Sequence, residues 1–164
     1  MRRWTLAVLV AALVASPAVA RAGLVDVFVD FSGAVPWQMT PAISRLPTNV
    51  MITPGVLFVG WVSAELGIEA SVAQFSEPAR WGIRPMVGVY PPFMPLYAKL
   101  VVDVGNLNLA GGLPVVTTVG GALGLKFDVI GFIRVFVEGD YLPATVRGTN
   151  LNVVEARIGI GARF

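Results

Sequence analysis

The chain has 164 residues, of which 55% are hydrophobic and 13% are charged, and its mean hydropathy is +0.75. This composition is too apolar for an ordinary soluble domain, yet the chain after residue 22 contains no convincing transmembrane helix. The absence of cysteine excludes a disulfide scaffold, a thiolate metal site and a lipidated N-terminal cysteine.

Residues 1–22 have the features of a cleaved signal peptide. Arg2 and Arg3 form a positive start, residues 6–14 form an apolar stretch too short to span a bilayer, and small residues at 18–22 offer cleavage sites. We therefore expect export, with residues 23–164 forming a single domain. Removal of the leader leaves nine or ten basic residues against ten acidic ones. This balance predicts no nucleic-acid partner.

Eight segments of the mature chain are predicted to be β-strands, most of them from a two-residue alternation of apolar residues with polar or small ones. Their predicted bounds are 24–32, 51–60, 64–75, 82–90, 96–104, 115–127, 132–142 and 153–164. The second segment alternates least. Pro54 and Pro85 lie inside the second and fourth segments, where each would mark a bulge or a later strand start.

The last segment shows the alternation most plainly. One face is wholly apolar: Val154, Ala156, Ile158, Ile160, Ala162 and Phe164. The other face carries Glu155, Arg157, two glycines and Arg163. A membrane β-barrel needs this arrangement, because lipid surrounds it and its narrow interior is polar. The roughly 142 mature residues accommodate eight strands of ~9–11 residues with their loops. We predict an all-β, eight-stranded antiparallel up-and-down transmembrane barrel.

The connections between the segments alternate in length, as they do in such barrels. If the N-terminus starts in the periplasm, the outer loops are 33–50, 76–81, 105–114 and 143–150, and the inner turns are 61–63, 91–95 and 128–131. Aromatic residues near the segment ends predict two interfacial girdles. The outer girdle would hold Phe31, Trp37, Phe75, Trp81 and Tyr141, and the inner one Trp61, Tyr90, Phe93, Tyr97, Phe127, Phe132 and Phe164. Phe28, Phe58 and Phe136 would lie in mid-strand.

Fourteen charged residues fall on the predicted inward face. The acids are Asp26, Asp30, Glu65, Glu69, Asp103, Glu138, Asp140 and Glu155, and the bases are Arg84, Lys99, Lys126, Arg134, Arg157 and Arg163. The interior of an eight-stranded barrel is so narrow that these groups must lie close together. We expect a paired network that fills the lumen, because an unpaired buried charge is costly. The functional alternative is a binding or proton-relay site.

The residue inventory argues against an enzyme. The chain has no histidine to serve as a base. Asp26 and Asp30, like Glu65 and Glu69, would lie about 13 Å apart along a strand, too far to share a proton or flank one bond. No calcium-loop spacing occurs, and the glycine-rich stretches at 120–121 and 159–161 precede no helix. We expect no catalytic residue, cofactor or metal; these glycines should make room for long inward side chains.

The first outer loop is the candidate contact site, through Trp37, Met39, Ile43 and Leu46. Thr40 and Pro41 have the residue types of a helix N-cap and first helical position, which predicts a short amphipathic helix. This helix would either lie on the rim or fold over the mouth as a lid that faces a ligand or partner. The alternative is a loop that packs its apolar residues against the rim.

The leader, the eight alternating segments, the short inner turns and the terminal Phe164 together resemble the small Gram-negative outer-membrane barrels of the OmpA/OmpX/OmpW-like class. Residues 120–127 and 132–141 are especially similar to the closing strands of that class. The resemblance implies outer-membrane lipid as surroundings, and the barrel-assembly machinery as a partner of the C-terminal strand with Phe164 as its signal. It also implies roles that range from envelope integrity and adhesion to passage of small apolar compounds.

We predict a monomeric, non-enzymatic barrel with a plugged lumen and a structural or surface-interaction role. One alternative is a narrow channel for small hydrophobic solutes. The other is a soluble, secreted, lipocalin-like barrel, which would need its apolar residues inside.

Overall fold

A computed structural model of the protein describes residues 24–40, 42–72, 81–105, 115–146 and 149–164. The predicted signal peptide lies outside these residues, as do parts of the predicted outer loops. Within the described ranges, no helix is long and apolar enough to cross a membrane.

The described residues form one closed antiparallel sheet. Its strands are β1 Val25–Gln38, β2 Ser44–Arg45, β3 Thr48–Phe58, β4 Val62–Val72, β5 Trp81–Val89, β6 Leu96–Gly105, β7 Val116–Ile130, β8 Ile133–Val146 and β9 Thr149–Arg163. The long strands pair in chain order, and β1 pairs with both β3 and β9, which closes the barrel. The predicted eight-stranded all-β barrel is confirmed. The two-residue strand β2 is an addition that pairs with the far end of β1.

The two ends of the barrel differ in height. We call the end with the short turns at 59–61, 90–95 and 131–132 the inner end, and the opposite end the outer end. At the outer end β1, β8 and β9 continue beyond their predicted bounds. Pairing of β1 with β9 reaches Gln38 and Val153, whereas pairing of β1 with β3 stops at Ala34 and Asn49. The strands extend beyond the residues in which apolar and polar side chains alternate, because backbone hydrogen bonding between strands does not require that alternation.

The short helix predicted after Thr40 is wrong for the described residues. Ser44 and Arg45 form strand β2 instead, paired with Trp37 and Gln38. The Thr40 hydroxyl group attaches this segment to β9. It donates a hydrogen bond to the Asn150 carbonyl oxygen at 3.1 Å and accepts one from the Asn152 backbone N–H at 3.0 Å. Because the Thr40 hydroxyl group makes these two hydrogen bonds, it does not cap a helix. Trp37, which was predicted to lie in the loop, belongs to β1.

Pro54 and Pro85 lie inside β3 and β5 without a bulge or a change of register. Pro54 is paired with Val29 and Pro85 with Leu66. On its other side β3 pairs with β4 and β5 pairs with β6. In each of these two pairings two successive residue pairs are missing at the proline, and the pairing then resumes in the same register. The missing N–H group of proline therefore interrupts one ladder locally and does not displace the strand.

The two faces of the sheet have opposite character, as predicted. Leu100 points outward and is 58% exposed, whereas its neighbour Lys99 points inward and is 7% exposed. The same contrast recurs around the barrel, with exposed apolar residues that include Val27, Leu66, Ile68, Val87, Leu123, Val137, Ile158 and Ile160. This is the reverse of what the lipocalin-like alternative requires.

The aromatic girdles are only partly as predicted. Trp81 and Tyr141 are exposed near the outer end, and Phe58, Trp61, Phe93, Phe132 and Phe164 are exposed near the inner end. Phe58 is the last residue of β3 rather than a mid-strand residue, and the extension of β1 leaves Phe31 in mid-strand. Tyr90 and Tyr97 are each 2% exposed and stack inside the barrel, with ring centroids 4.9 Å apart. Tyr90 is an even number of residues from the inward Arg84, and Tyr97 is an even number of residues from the inward Lys99. Residues separated in this way along a strand point to the same side of the sheet, so this inward parity places both tyrosines inside. Phe75 lies outside the described residues.

Candidate functional site

The lumen is crossed by side chains from opposite walls. Around the ring of eight long strands, β5 and β9 are four strands apart. Arg84 extends from β5 and is 1% exposed. Its Nη1 atom lies 2.8 Å from Glu155 Oε2 on β9 and 3.0 Å from Asp140 Oδ2 on β8. The Arg84 side chain therefore spans the full width of the interior.

Arg84 also binds carboxylates near its own strand. Its Nε atom donates to Asp103 Oδ1 on β6 at 3.0 Å, and its Nη2 atom lies 3.2 Å from Glu69 Oε2 on β4. A guanidinium group has five donors in a fixed plane and keeps its charge at any ordinary pH, so it can serve several carboxylates at once.

Arg157 on β9 is a second centre for the same acids. Its Nη2 atom lies 2.8 Å from Glu155 and 3.2 Å from Glu69, and its Nε atom lies 3.3 Å from Asp140. Its Nη1 atom donates to the Ser32 hydroxyl at 3.2 Å. Three carboxylates thus bridge the two arginines. We call this set the outer ion network: Glu69, Arg84, Asp103, Asp140, Glu155 and Arg157.

A second crossing lies closer to the inner end. Lys99 Nζ on β6 lies 3.0 Å from Glu65 Oε2 on β4 and 2.9 Å from Glu138 Oε2 on β8. The hydroxyl groups of Ser63 and Tyr90 both donate to Glu65 Oε1, at 2.6 and 2.5 Å. Every polar group of this crossing is buried, so each ion pair is shielded from solvent and its partners matter to stability.

Aromatic rings fill the inner part of the lumen. A buried cluster contains Phe28, Leu57, Tyr90, Tyr97 and Phe136. Cations lie over several of these rings: Arg134 over Phe28 at 4.0 Å, Lys126 over Tyr90 at 4.1 Å and Lys99 over Tyr97 at 5.1 Å. Sequence reasoning missed this cluster, although the inward parity of Phe28 and Phe136 was already visible.

The fourteen predicted charged residues all point inward, but they do not form one network. Besides the outer ion network and the Lys99 crossing, Arg134 binds Asp30 through two hydrogen bonds of 2.9 and 2.6 Å, and Arg163 binds Asp26. Lys126 contacts the Tyr90 ring rather than joining these groups. Within the described residues, no group of three or more potential ligands is placed to hold a metal ion.

Inward glycines supply the space that the large side chains occupy. A Cβ atom at Gly159 would overlap the Phe136 ring, and one at Gly161 would overlap the Asp30 carboxylate. The predicted role is confirmed for these two glycines. It is wrong for Gly121, where a Cβ atom would make only an ordinary 3.6 Å contact, and at Gly120 the close neighbour is backbone.

The predicted outer contact residues lie beside the tall wall of β1, β8 and β9. Met39 is 40% exposed and Ile43 is 75% exposed. Trp37 is half-buried and paired with Arg45 and with Val154 of β9. Leu46 is also half-buried. Two of the four residues therefore present apolar surface at the outer end.

Comparisons with known proteins identify the fold. No family model and no curated protein sequence matches the chain. Solved structures are similar: Neisserial surface protein A has a TM-score of 0.57 at 14% identity, over 87% of this chain and 98% of that one. Ail of Yersinia pestis, crystallised with the heparin analogue sucrose octasulfate, has a TM-score of 0.60 at 13% identity, over 87% and 100%.

A third similar structure is the N-terminal β-barrel domain of OprF from Pseudomonas aeruginosa, with a TM-score of 0.53 at 12% identity, over 84% of this chain and 97% of that one. The chain therefore has the fold of the small eight-stranded outer-membrane barrels, as the sequence resemblance implied.

The Lys99 crossing generates a prediction about stability. Lys99→Met leaves Glu65 buried without a cation and Glu138 with only the longer 3.8 Å contact to Arg157. It should lower the free energy of unfolding by about 3–5 kcal/mol. Adding Glu138→Gln should recover part of that loss. The measurement is equilibrium urea unfolding in detergent micelles.

Lys126→Met is the matched control, because its ammonium group lies over a ring rather than between two buried carboxylates. It should cost less than Lys99→Met. Equal losses for the two variants, or no recovery with Glu138→Gln, would contradict the assigned role of Lys99.

Proposed function

We propose that this chain is a monomeric barrel of the Gram-negative outer membrane, with a plugged lumen, no enzymatic activity, and a structural or surface-interaction role. Export would depend on the signal peptide at residues 1–22. The C-terminal strand with Phe164 would be recognised by the barrel-assembly machinery. The surroundings of the mature domain would be outer-membrane lipid.

The apolar outer surface supports a membrane location. Large apolar residues such as Leu100, Leu123 and Ile158 are more than half exposed on the outward face. In water such a surface would favour aggregation, whereas in lipid it is the required one. Exposed aromatic residues near both ends suit the two membrane interfaces.

The observation that carries the plugged lumen is the pair of transverse crossings. Arg84 joins β5 to β8 and β9, and Lys99 joins β6 to β4 and β8. An ion that passed through would have to part both crossings and the aromatic cluster beneath them. Parting them would leave buried charges without partners, which is costly. This cost disfavours the narrow-channel alternative.

The outer end supports the surface-interaction part of the proposal. The wall of β1, β8 and β9 rises above its neighbours, and Met39 and Ile43 present apolar side chains beside it. Exposed apolar residues near a projecting sheet suit contact with another protein. The similar barrel Ail was crystallised with a heparin analogue, so a surface role is compatible with the fold.

The lipid-facing surface can be tested at Leu100, the fifth of the ten residues of β6. Leu100→Arg should destabilise the barrel in phospholipid bilayers by ~2–4 kcal/mol, because the charge would face hydrocarbon near the midplane. Leu100→Ala is the control and should cost much less, since an outward residue leaves no internal cavity. Urea unfolding in vesicles measures both. If the bilayer-inserted protein tolerates arginine as well as alanine, β6 does not cross the membrane in this orientation.

The plugged lumen can be tested by single-channel recording in planar bilayers. The wild-type barrel should show only brief, small events, because the crossings occupy the lumen. Replacing both members of one crossing, Arg84→Ala with Glu155→Ala, should make such events longer and more frequent. Replacing exposed Asp128 by alanine should change nothing. A stable open level of porin size in the wild-type protein would contradict the plug.

The two envelope roles can be separated in cells that lack the chain. A structural role predicts increased detergent sensitivity that both the wild-type protein and a Met39→Ser, Ile43→Ser variant correct. A surface-interaction role predicts that attachment to protein-coated surfaces is restored by the wild-type protein but not by the variant. Loss of the chain without any effect on either property would refute both roles.

A further inference from the structure

The outer ion network and the Lys99 crossing contain more acids than bases. Their cations are Arg84, Lys99 and Arg157, and their acids are Glu65, Glu69, Asp103, Glu138, Asp140 and Glu155. Of the acids, Glu69 and Asp103 are the most accessible, with side chains 12% and 18% exposed. Water at the outer mouth can therefore solvate these two. The remaining acids lie deeper, where unbalanced negative charge is costly.

The strongest conflict lies between Asp140 and Glu155. They are direct cross-strand partners on β8 and β9, and they are 2% and 3% exposed. Two ionised carboxylates facing each other in a buried site repel strongly. They also compete for the same donors, because Arg84 Nη1 lies 3.0 Å from Asp140 Oδ2 and 2.8 Å from Glu155 Oε2. Arg157 is shared between them as well.

One oxygen of this pair has no donor. Asp140 Oδ1 is buried without a hydrogen-bond partner among the described residues, whereas both oxygens of Glu155 receive hydrogen bonds from Arg84. An ionised oxygen left without a donor is expensive. A proton on the Asp140 carboxyl group removes one negative charge and supplies a donor. The Asp140 and Glu155 carboxyl groups lie side by side, because they are cross-strand partners and both approach the same Arg84 Nη1 atom.

We propose that Asp140 and Glu155 form a binding site for one proton in the lumen at neutral pH, with Asp140 as the protonated carboxyl group and Glu155 as the acceptor. Five charged groups surround the pair: Glu69 from β4, Arg84 from β5, Asp103 from β6, Glu138 from β8 and Arg157 from β9. The strands paired with β9 and β8 place the uncharged Pro36 of β1 and Ala122 of β7 opposite Glu155 and Asp140. Only the folded barrel brings these groups together, so unfolding releases the proton. The inference is independent of the role of the barrel in the envelope.

Infrared spectroscopy of the full mature protein in detergent micelles tests the proton directly. A protonated carboxyl group has a C=O stretching band well separated from that of a carboxylate, and the band shifts in D₂O. The wild-type protein should show this band at neutral pH, and Asp140→Asn should lose it. Asp128→Asn, at an exposed position of β7, should keep it. Absence of the band in the wild-type protein, or its persistence in Asp140→Asn, would overturn the proposal.

Asn has the shape of a protonated Asp, so Asp140→Asn should fold. Glu155→Gln is a second variant that is measured in the same way. Without the negative charge of Glu155, Asp140 lies between two arginines and should ionise, so the band should disappear. A band that persists in folded Glu155→Gln would overturn the assignment of the pair.

Proton linkage gives an independent measurement. The folded wild-type protein holds a proton that the unfolded chain releases, so its unfolding midpoint should fall as the pH rises from neutral to alkaline. The midpoint of Asp140→Asn should fall less, and its unfolding should release one proton fewer. Equal pH dependence would refute the site. If the wild-type midpoint instead falls when sodium ions are replaced by choline, a bound metal cation rather than a proton balances the excess of acids. That result would also refute the proton site.

Discussion

The interior of this barrel depends on the burial of one guanidinium group. Arg84 is 1% exposed, and its charge cannot be removed by deprotonation at ordinary pH. A charge in that position is stable only if carboxylates surround it. The barrel supplies them from β4, β6, β8 and β9, on both sides of the lumen. The same contacts that neutralise Arg84 therefore also connect opposite walls and occupy the space between them.

This arrangement explains the distribution of small residues. Long side chains fit inside an eight-stranded barrel only where neighbouring positions leave space. Gly124 leaves space for the Tyr97 ring, Gly55 for Phe28 and Gly159 for Phe136. The outward face has the opposite requirement, since it needs apolar area and no charge. Alternation along each strand satisfies both requirements at once.

The barrel and the direction of its side chains were predictable because the strand repeat is two residues and each face has one kind of surroundings. The partners of each charge were not, because Arg84 and Glu155 are 71 residues apart and only register brings them together. The predicted girdle position of Tyr97 was wrong because it rested on the closeness of Tyr97 to a strand end, whereas its inward parity with Lys99 decides its direction. The predicted helix after Thr40 was wrong because its hydroxyl group had an alternative use on β9.

The central claim is that the Arg84 contact with Glu155 joins opposite walls across the lumen, and a double-mutant cycle tests it most directly. Arg84→Gln should lower the free energy of unfolding by about 3–5 kcal/mol, because it leaves several buried carboxylates without their cation. Glu155→Gln should lower it by less, because Glu69, Asp103 and Asp140 still neutralise Arg84. The double variant should lose less than the sum of the two. The same cycle on Arg163 and Asp26, where the arginine side chain is 31% exposed, should give a smaller coupling. Additive losses for Arg84 and Glu155, within about 0.5 kcal/mol, would contradict the account.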